Sequence, residues 1–129
     1  MEIPRKTGSR VSLYRDAHLT LDFDNQVATL DCQPLPLTRK EYDLLALLVS
    51  YAGLIVPRSE LLLRVWGYGD GIRTRTLDVH IRHLRKKLGV YANECIETVF
   101  GIGHRFQPYG SAMRLHPGML EQPMLAYGA

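Results

Sequence analysis

The period of the apolar residues changes several times along this chain, and each change marks a different kind of element. The first ten residues, MEIPRKTGSR, show no period and read as a flexible arm or linker. From Val11 to Leu37 the period is two. In "HLTLDF", Leu19, Leu21 and Phe23 fall on one face and Thr20 and Asp22 on the other, the alternation of a half-buried strand. Asp24-Asn25 is a turn signal, "QVATL" resumes a strand, and the two prolines of "QPLPL" confine it to a sheet edge. With Val11 to Tyr14 as a further strand, the region predicts a small antiparallel sheet.

At Thr38 the period becomes helical. "TRKE" is a capping box, in which Thr38 accepts from the amide of Glu41 and Glu41 reaches back. The helix runs through "YDLLALLVSYA" to Gly53, a left-handed terminator, and its nearly all-round apolarity predicts a central position. A second, shorter helix is expected with Ser59 as N-cap and Glu60 at its positive end. It carries Leu61, Leu62, Leu63, Val65 and Trp66 and ends at Gly67. The glycines of "GYGDGIRT" then break the helix.

A third helix follows in "RTRTLDVHIRHLRKKLG". Leu77, Ile81, Leu84 and Leu88 recur at helical spacing and fall within a stripe of about 60°, which must be buried. Opposite that stripe lie Arg75, Val79, Arg82, His83 and Lys86, with Thr76, Asp78, His80, Arg85 and Lys87 on the flanks. A solvated charged face is the plain alternative, with Arg85, Lys86 and Lys87 complementing the helix dipole. Against it, Asp78 is the helix's only acid, so Glu-to-Lys pairs are missing, and Val79 sits apolar among cations. A basic face with one methyl-bearing side chain suits a major groove, with its phosphate walls and thymine methyls. After a connector (Val90 to Glu94), "IETV" and "HRFQ" flank the glycine turn "FGIG". A basic helix followed by such a hairpin predicts an α+β winged helix, the hairpin being the wing.

Composition changes this picture little. The chain has 129 residues, enough for one domain, with 46% hydrophobic and 22% charged residues. Its net charge of +3 and pI near 9.0 are mildly basic, but the excess is concentrated on the third helix and on Arg5, Lys6, Arg10 and Arg15. Clustered cations point to an anionic partner, most commonly nucleic acid. Cys32 and Cys95 form no CxxC or metal-knuckle spacing and read as free thiols in a reducing cytoplasm. Leu44 to Val49 is the longest run of strong apolars, too short to span a bilayer, and no secretory signal opens the chain.

Catalysis and cofactors are not expected. Ser59 lacks a nucleophile elbow, and neither "GYGDG" nor "GIG" fits a phosphate loop or a dinucleotide turn. His80 and His83 lie i, i+3 on a helix, but no third metal ligand stands at recognised spacing, and the two are placed towards different sides of the polar face. RNA is disfavoured because A-form RNA closes its major groove and no aromatic platform is visible. A winged helix used only for protein contacts is the remaining competitor, and salt-dependent duplex binding separates the two.

Taken together, "LTRKEYDLLALLVSYAGLIVPRSELLLRVWG", "RTLDVHIRHLRKKL" and "IETVFGIGHRF" resemble the C-terminal DNA-binding effector domain of OmpR/PhoB-type response regulators, over roughly Val11 to Pro108. The resemblance implies a four-stranded N-terminal antiparallel sheet, a three-helix core and a hairpin wing, with a winged-helix domain over residues 11–109. It implies sequence-specific binding of promoter DNA for transcription regulation, as two copies on direct repeats. By position the DNA contacts would be Arg75, Thr76, Val79, His80, Arg82, His83, Arg85 and Lys86, with Trp66 and Thr98 holding the backbone and Phe100 at the wing. Tyr68, Asp70 and Arg73, in the loop from Gly67 to Thr74, would face RNA polymerase. Three positions depart from the family: His83 and Phe100 stand where Arg is common, and His104 replaces a common Tyr. Such domains normally follow a receiver domain phosphorylated by a sensor kinase, for which this chain has no room, so an excised effector domain is expected, with a natural stand-alone regulator as the alternative. The domain is expected to be monomeric when free and to pair on DNA, with residues 110–129 a flexible tail.

Overall fold

The computed structural model describes residues 12–110 and the backbone of residues 113–115. The described residues fall into two compact units, residues 12–35 with 109–110 and 113–115, and residues 36–108.

The first unit is an antiparallel sheet of β1 (Leu13–Arg15), β2 (Leu19–Asp22), β3 (Val27–Leu30) and β4 (Gln33–Pro34). Alternation works as expected: Leu19 and Leu21 are fully buried and Thr20 and Asp22 half-buried. Asp22 forms the turn signal's anchor, accepting from the amides of Asp24 and Asn25 at 3.1 Å. The sheet has one strand more than anticipated. β8 (Met113–Leu115), within the segment expected to be a flexible tail, pairs antiparallel with β1 and gives the order β4-β3-β2-β1-β8. An edge strand with open N–H and C=O groups is a template for such pairing. The remainder of that tail, like the N-terminal arm, lies outside the described residues.

The second unit opens with α1 (Arg39–Ser50), whose capping box forms as its sequence dictates: Glu41 N donates to Thr38 Oγ1 at 3.2 Å, and Thr38 N to Glu41 Oε1 at 2.9 Å. The helix stops at Ser50, before the glycine expected to end it; Gly53, at φ 87°, turns the chain and donates to the carbonyl of Phe106. A short strand absent from the sequence reading follows, β5 (Ile55–Pro57). It pairs with β7 (Gly103–Phe106), which also pairs with β6 (Ile96–Val99), so the wing is a three-stranded sheet rather than a bare hairpin. Gly103 is required there: a Cβ on it would lie 2.0 Å from the Val56 carbonyl oxygen.

That strand also corrects the start of the second helix. α2 begins at Arg58, with extended Pro57 as N-cap and no side-chain cap; Ser59 is inside the helix. The amide of Arg58 donates to the carbonyl of Ile102, which fixes Arg58 as the first helical residue and leaves Ser59 inside the first turn instead of in the extended conformation of a cap. From Leu62 to Trp66 the helix widens to π-helical turns and ends on left-handed Gly67, φ 76°. α3 spans Thr76–Leu88, and the connector proves helical, with a 3-10 turn at Gly89–Tyr91 and α4 at Ala92–Cys95. The core of this unit is Leu44, Leu45, Leu48, Leu61, Leu77, Leu84, Leu88, Cys95 and Phe106, all essentially inaccessible. Burial of such side chains is worth about 1.5–3 kcal/mol each, which fixes α3 on its apolar stripe.

Candidate nucleic-acid interface

With Leu77, Ile81, Leu84 and Leu88 buried as predicted, the polar residues of α3 divide by what stands opposite them. One flank is clamped to α1. Lys87 Nζ donates to Glu41 Oε1 at 2.6 Å and to the Pro36 carbonyl at 3.0 Å. Burial raises the proton affinity of Glu41, but the Lys87 and Thr38 hydrogen bonds outweigh it, so its carboxyl titrates below the ordinary 4.5. Its other oxygen stands 3.6 Å from His83 Nδ1. Further along this flank, His80 packs edge-on against Trp66, ring centroids 4.9 Å apart, and its Nδ1 lies 2.8 Å from the carbonyl of Thr76.

The opposite flank is tied to the start of α2 and to the wing. Asp78, the helix's one acid, pairs with Arg58 at 2.9 Å, and Arg58 also donates to the Thr74 carbonyl. Arg85 Nη2 donates to the Ile96 carbonyl at 3.1 Å and to Thr98 Oγ1 at 2.7 Å. The Thr98 hydroxyl in turn stands 3.2 Å from His104 Nδ1. Because a lone pair of that hydroxyl is taken by Arg85, its proton is available to His104. Burial first, then the charge of Arg85, hold the His104 imidazole below its ordinary value of 6.5.

Between the flanks runs a crest. Arg75, Arg82 and Lys86 are exposed, Val79 is half-buried among them, and the three cations make no hydrogen bond or ion pair among the described residues. The loop before α3 leaves Tyr68, Asp70 and Arg73 exposed. At the wing tip, before Gly101 at φ 81°, Phe100 is 90% exposed and so does not fold back on Ile102 or α3.

The structure therefore gathers Trp66, Thr76, His80 and His83 on one flank, and Arg85 with Thr98 on the other, while Phe100 and the loop residues stand apart. Two placements differ from the sequence reading. The histidines share one flank, with ring centroids 6.1 Å apart, because Trp66 and Glu41 both face that side. Arg85 is spent on the wing rather than free. Glu41, Arg58, Lys87 and His104, which position these groups, were not singled out as site residues; only the capping box pointed to Glu41, and only as a cap. Among the described residues no group of three or more His, Cys, Asp or Glu could hold a metal ion, and no helix is long and apolar enough to cross a membrane.

A three-helix unit with a basic third helix and a β-wing is a winged helix. The family described as "Transcriptional regulatory protein, C terminal" matches residues 32–106. The chain belongs to this family: it is the DNA-binding effector domain of an OmpR/PhoB-type response regulator. It is 44% identical over 87 residues to the response regulator ArlR of Staphylococcus saprophyticus, covering 67% of this chain and 40% of that protein. The chain thus spans about two fifths of the length of the curated relatives it matches. Among solved structures, the Klebsiella pneumoniae RstA DNA-binding domain in complex with the RstA box is similar at TM-score 0.69 and 33% identity, covering 75% of this chain and 98% of that one. The DNA-binding domain of CpxR from E. coli is similar at TM-score 0.68 and 30% identity, covering 76% and 98%.

Proposed function

We propose that the domain seats the crest of α3 in the major groove of promoter DNA, with the wing against the adjoining backbone or minor groove. The observation that carries this is the division of the helix. The cations on its flanks, Lys87 and Arg85, are engaged by internal bonds, whereas the side chains of Arg75, Arg82 and Lys86 stand unpaired around Val79. Cations left without protein partners, beside one apolar group, match phosphate walls and a thymine methyl. Arg75, Arg82 and Lys86 then contact phosphates and base edges directly, and Val79 a thymine methyl. Thr76, His80 and His83 reach the groove from the clamped flank, beside Trp66. Arg85 and Thr98 act mainly by holding the wing to α3, and Phe100 lies against sugars at the wing tip.

The whole protein is read as a cytoplasmic two-component regulator, in which a receiver domain phosphorylated by a sensor kinase governs this domain. The free domain is a monomer that pairs on direct repeats, its half-sites about one helical turn apart. The exposed loop bearing Tyr68, Asp70 and Arg73 is the surface for RNA polymerase. The test is a selection from random duplexes, followed by affinity measured against salt. The logarithm of affinity should fall linearly with the logarithm of salt, by about 0.9 per neutralised phosphate. Affinity indifferent to salt would instead favour a winged helix that serves protein contacts.

A further inference from the structure

His80 stands where the crest of α3 meets the flank covered by Trp66. Its Nδ1 lies 2.8 Å from the Thr76 carbonyl oxygen and 3.4 Å from the Thr76 hydroxyl. A carbonyl oxygen only accepts, so Nδ1 carries hydrogen. This decides the chemistry of the other nitrogen. In the neutral ring Nε2 then has a lone pair and no hydrogen, and it has no hydrogen-bond partner among the described residues. A lone pair repels a phosphate oxygen. Flipping the ring would put Cδ2 at the Thr76 carbonyl and forfeit that bond, and moving the hydrogen to Nε2 would set the Nδ1 lone pair against the carbonyl oxygen.

We propose that His80 meets the DNA backbone only as the imidazolium, so that seating α3 on DNA takes up a proton at Nε2. The inference rests on the docking of α3 described above. The proton comes from the buffer, forms an N–H bond at Nε2, and leaves the Nδ1 bond to Thr76 intact. The charged surroundings permit this. On its own helix His83 is the nearest titratable neighbour, and Glu41 of α1 stands beside His83 with Lys87 as its partner. The second helix presents the uncharged indole of Trp66, and behind it Lys40 of α1 is occupied by the Val65 carbonyl. A DNA phosphate would thus be the first unshared anion that Nε2 meets.

The experiment is calorimetric titration of the domain with a duplex recovered from the random pool, near neutral pH, in buffers of different ionisation enthalpy. The dependence of the observed heat on the buffer counts the protons taken up. The wild type should take up a measurable fraction of a proton, up to one, and His80→Gln less by that fraction. In parallel, the wild-type salt slope should be steeper by up to about 0.9 at pH 6.5 than at pH 8, and His80→Gln should lack that difference. Should His80→Gln fail to fold, the imidazole nitrogen shifts of wild-type His80 report Nε2 protonation on DNA addition directly. Equal proton counts in wild type and His80→Gln, or an Nε2 that stays unprotonated on DNA, would overturn the proposal. So would an affinity loss traced to one exocyclic amino group of a base, which marks a neutral ring reading sequence. Failure to recover any duplex overturns the docking itself, whereas tight binding without proton uptake overturns this inference alone.

Discussion

Arg82 and Arg85 are the same residue type three positions apart on one helix, and the structure gives them different surroundings. Arg85 is half-buried and gives two hydrogen bonds, to Ile96 O at 3.1 Å and Thr98 Oγ1 at 2.7 Å. Hydrogen bonds to charged groups contribute about 1.5–3 kcal/mol each when removed singly. Here solvent reaches the site and can replace part of the loss, so Arg85→Ala should cost roughly 2 kcal/mol in all. For a domain of this size that lowers the melting temperature by roughly 8–15 °C. Arg82 is exposed and makes no hydrogen bond or ion pair among the described residues, so Arg82→Ala should change stability by no more than about 0.5 kcal/mol. In DNA binding the order reverses. Arg82→Ala should remove about 0.9 from the salt slope, the share of one phosphate, while Arg85→Ala should weaken binding with a smaller change in slope. Chemical unfolding and fluorescence anisotropy at several salt concentrations measure both quantities on the same two proteins. Equal stability losses, or a salt slope that falls for Arg85→Ala and not for Arg82→Ala, would refute the assignment.

Phe100→Arg, at a position 90% exposed, should leave unfolding unchanged and steepen the salt slope by up to about one unit at low salt, a gain checked by the same anisotropy titrations. Gly103→Ala places a methyl 2.0 Å from the Val56 carbonyl oxygen, which forces β5 from β7; a loss of more than about 2 kcal/mol in chemical unfolding is expected, and a stable variant would mean that the strands part easily. His104 is held below 6.5 by burial and by Arg85, so the folded state binds fewer protons than the unfolded one between its folded value and 6.5. Stability should therefore be level above about pH 6.5 and fall as the pH drops through the folded value, and His104→Gln should flatten this part of the unfolding-against-pH curve. The depressed carboxyl of Glu41 acts in a separate, lower window, below its ordinary 4.5.

Local signals in this chain were legible and long-range partners were not. The stripe of Leu77, Ile81, Leu84 and Leu88, the Thr38–Glu41 capping box and the alternation at Leu19 and Leu21 each depend on neighbours within a few positions, and each appears where the pattern put it. β5 escaped notice because three residues ending in proline carry no period, and its partner β7 lies far along the chain. The start expected at Ser59 moved for the same reason: the bond from the Arg58 amide to Ile102, a distant residue, sets Arg58 as the first residue of the helix. β8 was hidden by a segment with no sustained pattern, whose pairing depends on an open edge at β1.

The candidate site shows the same limit in its charges. A helical wheel sorts side chains by angle, and on that basis Arg85 and Lys87 are merely flanking cations on a basic helix. What determines their roles is the acceptor that tertiary structure sets against them. Lys87 meets a carboxylate that α1 has already oriented with its own N-terminus, and Arg85 meets a strand carbonyl and a threonine hydroxyl on β6. Each removes one cation from the pool available to DNA and uses it to hold α3 in place. Net positive charge on such a helix therefore overstates its phosphate contacts. The electrostatic part of its DNA affinity should instead scale with the cations that remain unpaired, Arg75, Arg82 and Lys86 on the crest, joined by His80 when protonated.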